Sequence, residues 1–234
     1  MKATYAGHSA VLFEHEGSVC AVDPWLEGNP LCPDGMVTPE RLDVIVVTHG
    51  HGDHAGDVVR LQQATGAVVV AVFELGDILR EEGIPGDKVI DMGKGGTQQV
   101  GEWSVTLTHA IHSNSYDSPS RGRLYAGEAC GVVLTNGGIA IYHAGDTALF
   151  EEMAWIGSRY QPAAAFLPIG DRYTMGPEDA AEAARRIGAP VTIPIHYRTF
   201  PVLTHSARGF LSACASHGVV AQELAPGEAL ALDR

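Results

Sequence analysis

Apolar residues fall in short runs cut by glycine, proline and aspartate. Positions 11–13, 19–22, 44–47 and 68–72 are such runs, and 103–107 alternates apolar with polar. Further runs cover 132–134, 139–142, 164–167 and 191–195. Runs this short and this rich in valine and isoleucine predict strands buried in a sheet. Helical segments are predicted between some of them, over 56–65, 74–82, 148–160, 178–187 and 206–217. Pro177 ahead of Glu178 and Asp179 marks one helix start. Proline's missing N–H has no partner in a first turn, and acids there meet the positive end of the helix dipole. Strands followed by alternating strand and helix, twice over, predict two mixed sheets covered by helices. No linker, repeat or low-complexity tract interrupts the pattern, so 1–234 reads as one α/β domain.

A chain of 234 residues can bury a sizeable core without disulfides. Cys20, Cys32, Cys130 and Cys214 are scattered with no C-x-x-C, which predicts core packing and reduced thiols in a cytoplasmic setting. The first residues reach His8, Glu14 and Glu16 too early for an export signal. No apolar stretch approaches the roughly 20 residues that a membrane helix needs. Fifteen basic against 28 acidic residues leave a net charge of −13. Such a surface repels phosphate backbones and disfavours nucleic acid as a partner. The expected partner is a small molecule, with homo-oligomer formation left open.

Eleven histidines change the picture, because several follow directly on apolar runs. Val47 leads into His49, Leu107 into His109 and His112, Tyr142 into His143 and Asp146, and Ile195 into His196. Side chains at strand ends converge readily on one sheet edge. The densest group is Thr48-His49-Gly50-His51-Gly52-Asp53-His54. Imidazole and carboxylate suit zinc, manganese or iron. Gly50 and Gly52 would let the backbone turn sharply, so that His49 and His51 reach one metal and Asp53 and His54 a second. The plain alternative is a polar loop with Asp53 capping a helix, but capping has no use for three histidines.

His-x-His-x-Asp-His after a hydrophobic strand resembles the signature of the metallo-β-lactamase superfamily. Four further segments look like its UlaG-like (UPF0173-type) subgroup of small metal-dependent hydrolases. They are Val22-Asp23-Pro24-Trp25-Leu26-Glu27-Gly28-Asn29-Pro30, Tyr142-His143-Ala144-Gly145-Asp146-Thr147, Met175-Gly176-Pro177 and Pro194-Ile195-His196-Tyr197-Arg198-Thr199-Phe200-Pro201. The resemblance implies an αββα sandwich with its site on one edge between the sheets. It implies that His49, His51 and His112 bind a first metal, that Asp53, His54 and His196 bind a second, and that Asp146 bridges both. His112 is preferred over His109 because the family's ligand precedes serine and asparagine, as in His112-Ser113-Asn114-Ser115. Asp23 would orient a metal-bound histidine and raise its basicity.

The same resemblance implies a hydrolase in which two divalent ions activate a hydroxide against a small ester, lactone or phosphodiester. Zinc is the first expectation, with manganese, iron or nickel open. Asp53 would orient the nucleophile or carry its proton, and His8 or Tyr173 would assist the leaving group. His8 matches the family's first strand and is expected to face the pocket, with contact to metal or substrate left open. Asp171 and Tyr173 precede the Met175-Gly176-Pro177 helix start and read either as substrate-pocket residues or as a surface turn. His143 reads as structural. Two other classes stay open. A redox di-iron protein on this fold usually carries glutamate where this chain has His51, and a metal-binding protein without catalysis would share the ligand set.

Overall fold

The computed structural model describes residues 1–233. Six strands come from the first part of the chain: β1 (Lys2–Gly7), β2 (Ala10–His15), β3 (Ser18–Val22), β4 (Val44–Val46), β5 (Val68–Val72) and β6 (Val89–Met92). Helices α1 (Gly52–Ala55), α2 (Val58–Thr65) and α3 (Phe73–Glu81) lie between them. The chain continues through β7 (Thr97–Val100), β8 (Trp103–His109), β9 (Ser115–Ser118), β10 (Gly122–Tyr125), β11 (Cys130–Asn136) and β12 (Ile139–His143). It ends with α4 (Met153–Tyr160), β13 (Ala164–Pro168), α5 (Pro177–Ile187), β14 (Thr192–Ile195), α6 (Arg208–Ser216) and β15 (Ala229–Ala231).

Two mixed sheets result, in the orders β15-β1-β2-β3-β4-β5-β6 and β14-β13-β12-β11-β8-β7, with β9-β10 a separate hairpin. In the first sheet, β1 to β3 run antiparallel and β3 to β6 parallel. The second sheet is antiparallel from β7 to β12 and parallel from β12 to β14. Alternation along the strands divides the apolar residues into two layers. Ile139, Ile141, Ala164 and Phe166 face the core between the sheets. Their neighbours Tyr142, Ala165 and Leu167 face α4, α5 and α6. Strands buried on both faces read as continuous apolar runs, which is how the sequence shows them. Phe13 meets Phe166 edge-on across the sheets, and the buried Trp103 donates its indole N–H to Ser18 Oγ at 2.8 Å.

The predicted αββα sandwich is present, and α5 begins at Pro177 with Glu178 and Asp179 in its first turn. The helix expected over 148–160 starts only at Met153. The preceding backbone is held by tertiary partners instead: Ala148 N–H donates to Ile111 O, and Thr147 O accepts from Met175 N–H. No helix among the described residues is long and apolar enough to cross a membrane.

Candidate metal centre

The parallel strands β3, β4, β12 and β14 each end at one edge of the sandwich, and each runs into a loop that carries a candidate residue. Asp23 follows β3 and the His49–His54 motif follows β4. Asp146 follows β12, and His196 follows β14. His51 immediately precedes α1, no side chain caps that turn, and Asp53 and His54 stand on it. The sharp turn expected at Gly50 and Gly52 uses no left-handed backbone. Gly50 is needed for space: a Cβ there would stand 2.9 Å from Ser115 O.

Three groups of ligand-type side chains form at this edge, each with its donor atoms within 4.8 Å of one another. Two share no residue, His49, His51 and His112 in one and His8, Asp53, His54 and His196 in the other, while the third joins Asp23 to His49 and His54. Asp146 faces the first two. Its Oδ2 lies 3.0 Å from His196 Nε2, 3.6 Å from His112 Nε2 and 3.9 Å from His49 Nε2, and its Oδ1 lies 3.4 Å from His54 Nε2. His109 stays outside. It is exposed, 3.3 Å from Lys94 Nζ, with its ring against Phe150.

Asp23 organises one histidine from each of those two groups. Its carboxylate accepts from Thr48 N–H at 2.8 Å, from the Thr48 hydroxyl at 2.6 Å and from His54 Nδ1 at 2.8 Å. The single hydroxyl hydrogen of Thr48 is thereby used, so the 3.0 Å contact with His49 Nδ1 is donated by the ring. Both His49 and His54 therefore carry a hydrogen on Nδ1; Nε2 of each is on the side of Asp146, and that of His49 also accepts from His51 Nδ1 at 3.0 Å. Three further residues that the sequence did not single out serve the same loops. Asn114 accepts from Gly50 N–H and donates to Ala126 O. Asp57 accepts from the N–H groups of Leu26 and Glu27 at 2.6 Å each. Thr199 contacts His8 Nδ1 at 2.8 Å. Thr48, Asn114 and Thr199 had usable signals, the first standing directly before the motif and the other two inside segments that resemble the family; Asp57 had none beyond polarity.

Burial, followed by the neighbouring charges, sets the protonation states. Burial and then His54 push His49 well below its ordinary pKa, and burial lowers His51 and His112 as well. Burial also works against charge on His54, but Asp146 and then Asp23 outweigh it and hold that ring well above its usual range. For Asp146, burial is outweighed by His196 and His54, and the carboxyl stays well below the usual carboxylate range. Most of the imidazoles are thus neutral and the carboxylates charged, which is the form that ligates metal.

His54 Nε2 and Asp146 Oδ1 are buried and lack any hydrogen-bond partner. A buried imidazole nitrogen and a buried carboxylate oxygen left side by side without partners are what a divalent cation would satisfy, displacing the His54 proton as it binds, and imidazole with carboxylate is the donor set of zinc, manganese or iron. The residues present therefore fit the group. A cavity of about 300 Å³ opens onto them, lined by His51, Asp53, His112, Asp146 and His196 with Ser113 and Tyr173. Tyr173 is 57% exposed at its rim.

Two expectations are corrected here. His8 does not line the cavity: it is fully buried, with Nε2 on Asp53 Oδ2 at 3.1 Å. Asp171 does not line it either, because its left-handed backbone folds the carboxylate back onto Gly176. His143 is structural, accepting from Gly145 N–H at Nδ1 and donating from Nε2 to Ser9 O. A larger cavity of about 490 Å³ sits at the far end of β12, lined by residues such as Ile139, Gln161 and Leu232, away from these histidines.

The profile described as "Beta-lactamase superfamily domain" matches residues 20–197. A UPF0173 metal-dependent hydrolase of Geobacillus thermodenitrificans is 41% identical over 99% of this chain and all of its own length. Another from Shouchella clausii is 44% identical over 92% of this chain and 94% of its own. Among solved structures, the metallo hydrolase Igni18 from Ignicoccus hospitalis superposes with a TM-score of 0.86 at 35% identity, covering 98% of this chain and 97% of that one.

Proposed function

Because the chain belongs to the β-lactamase superfamily and, within it, to the UPF0173 metal-dependent hydrolases, we propose that it hydrolyses a small ester, lactone or phosphodiester at a centre for two divalent cations. The observation that carries this reading is the Asp146 carboxylate, which faces imidazoles of both groups at 3.0–3.9 Å. His49, His51 and His112 would hold one cation, Asp53, His54 and His196 the other, and Asp146 would contact both. Zinc is the first candidate for this imidazole and carboxylate donor set, with manganese, iron or nickel as the alternatives. Two such cations would supply Lewis acidity and bring the pKa of water from 15.7 towards about 7, making hydroxide the nucleophile.

The protein's own residues do the rest. Asp53 lines the cavity with a quarter of its side chain accessible, and burial of that carboxylate is outweighed by the His8 hydrogen bond and by His54, which keep it ionised. An ionised carboxylate beside the reacting atoms can orient the attacking oxygen and take its proton. Tyr173 at the rim offers a ring face and a hydroxyl to the leaving group. A volume of about 300 Å³ is at the small end of ligand pockets and suits a small substrate. The net charge of −13 supports a small molecule rather than a nucleic acid, and four free cysteines support a cytoplasmic setting.

The test is a panel of chromogenic esters, lactones, phosphodiesters and a cephalosporin, run with and without chelator, on protein whose metal content is measured. More than one ion per chain and chelator-sensitive cleavage of the first three classes are expected. A chain that takes up no zinc, manganese, iron or nickel would overturn the reading, and a cephalosporin as much the best substrate would overturn the substrate class.

A further inference from the structure

The turn between β1 and β2 places His8 at the junction of the two sheets. Its side chain is fully buried and its φ is +55°, a left-handed conformation that a histidine rarely adopts. Such strain persists where the surroundings over-determine a residue. The surroundings here are specific. His8 Nε2 meets Asp53 Oδ2 at 3.1 Å, and Nδ1 meets Thr199 Oγ1 at 2.8 Å. The His8 carbonyl accepts from His196 N–H at 2.8 Å and from the Tyr5 hydroxyl at 3.1 Å. Its ring lies 4.1 Å from the His196 ring.

Donor counting fixes the direction of these bonds. An ionised carboxylate only accepts, so the hydrogen facing Asp53 belongs to His8 Nε2. The neutral ring then has a bare Nδ1, and the one hydrogen of the Thr199 hydroxyl goes to it at 2.8 Å in preference to Tyr197 O at 3.2 Å. One side chain holds Asp53, which stands on α1 beside the first sheet, while the same residue's carbonyl holds the loop of His196, which leaves the second sheet.

We propose that His8 is the positioning residue of the second cation group, tying Asp53 and His196 into place from opposite sheets before a cation arrives. The proposal rests on the two-cation reading of the site. It gives His8 a donated hydrogen bond rather than a lone pair for metal, and it gives Thr199 the task of fixing the His8 tautomer. Partners that orient a ligand are typically worth about 10–100-fold in metal affinity.

The test measures both zinc dissociation constants by chelator competition, with elemental analysis and metal-free thermal unfolding, on wild type, His8→Ala, His8→Gln and Thr199→Val. The alanine variant is expected to bind the first ion as wild type does and the second about 10–100-fold more weakly. The glutamine amide nitrogen reaches about the position of imidazole Nε2 and can donate to Asp53, so His8→Gln is expected to recover most of that loss. Thr199→Val keeps the shape and removes only the hydroxyl, and it is expected to fall between. If His8 itself ligated the ion, glutamine would bind as poorly as alanine, which overturns the proposal. Unchanged second-ion affinity in the folded variants overturns it too; should His8→Ala fail to fold, unchanged affinity in Thr199→Val is enough to do so. A wild type that takes one ion only overturns the two-cation reading, a result distinct from either of those.

Discussion

Asp23→Asn would leave in place every residue proposed to hold the two cations and would change hardly any volume, yet it should weaken both cation groups. Asp23 is fully buried with a φ of +48°, a backbone region that asparagine shares readily with aspartate. Thr48 N–H can only donate, so the amide oxygen must stay at that 2.8 Å contact. The amide nitrogen then stands where a carboxylate oxygen accepted from the Thr48 hydroxyl and from His54 Nδ1. It donates to both. The Thr48 hydroxyl turns its hydrogen to His49 Nδ1, and His54 Nδ1 becomes an acceptor. Both rings now carry their hydrogen on Nε2, the atom that faces Asp146.

For either ring to ligate through Nε2, its hydrogen must return to Nδ1 and leave a donor facing a donor in a dry site. An unpaired buried donor costs about 1–3 kcal/mol. At 1.4 kcal/mol per factor of ten, that is roughly 5–150-fold in affinity for each ion. Chelator competition on wild type and Asp23→Asn reads the shift, and metal-free unfolding shows whether the fold is intact. Wild-type affinity for both ions in a folded Asp23→Asn protein would refute the tautomer argument.

Asp146→Asn removes the charge that both groups share, and it is expected to lower ion content and to cost turnover about 2.7–4 kcal/mol of transition-state stabilisation; elemental analysis and kinetics on one preparation check it, and two retained ions with unchanged turnover would contradict it. Asp146 and Asp23 hold His54 charged at neutral pH against burial, so zinc uptake at pH 7 is expected to release a proton and to tighten as pH rises; calorimetry in buffers of different ionisation heat measures this, and uptake without proton release would contradict it. Gly157→Ala puts a Cβ 2.0 Å from Ile187 O between α4 and α5, and overpacking of this kind is expected to cost about 1–3 kcal/mol in urea unfolding with zinc affinity unchanged. Tyr173→Ala is expected to raise KM more than it lowers kcat, with Tyr173→Phe between it and wild type; equal KM for all three would remove Tyr173 from the substrate pocket.

What the sequence reveals about this site follows from how each residue is held. The motif from His49 to His54 is legible because four ligand types in six positions exceed what a loop or a helix cap requires. The preference for His112 over His109 rests, in the sequence, on the serine and asparagine that follow. The structure supplies a physical ground: His109 is the exposed last residue of β8 beside Lys94, whereas His112 lies in the next loop facing Asp146. The hairpin β9-β10 is illegible because exposed Arg123 and Asp117 pair across it, leaving little apolar alternation to read. β7 has the same defect, with Gln98 and Gln99 at the edge of its sheet. His8 is legible as a site residue but not in its role. Nothing in Gly7-His8-Ser9 says that the ring is turned behind Asp53, because that depends on Thr199 and Phe200, nearly two hundred positions away.

The placement of these partners also explains why the site sits where the sheets meet. Asp53 and His54 stand on α1 beside the first sheet, while Asp146 and His196 leave the second. A buried polar group is costly unless it is paired, so each ligand loop needs a partner that the opposite sheet can supply. Cys130 N–H at the start of β11 donates to Thr48 O, which ties the motif loop to the second sheet. Ser9 O and the His8 carbonyl, both from the first sheet, accept from His143 Nε2 and His196 N–H of the second. The hydrogen bonds that orient the candidate ligands are therefore among those that hold the two sheets in register at this edge. Metal affinity and inter-sheet packing are coupled by construction, since a shift of one sheet against the other would separate Asp146 from His54 as directly as it would open the core between Phe13 and Phe166.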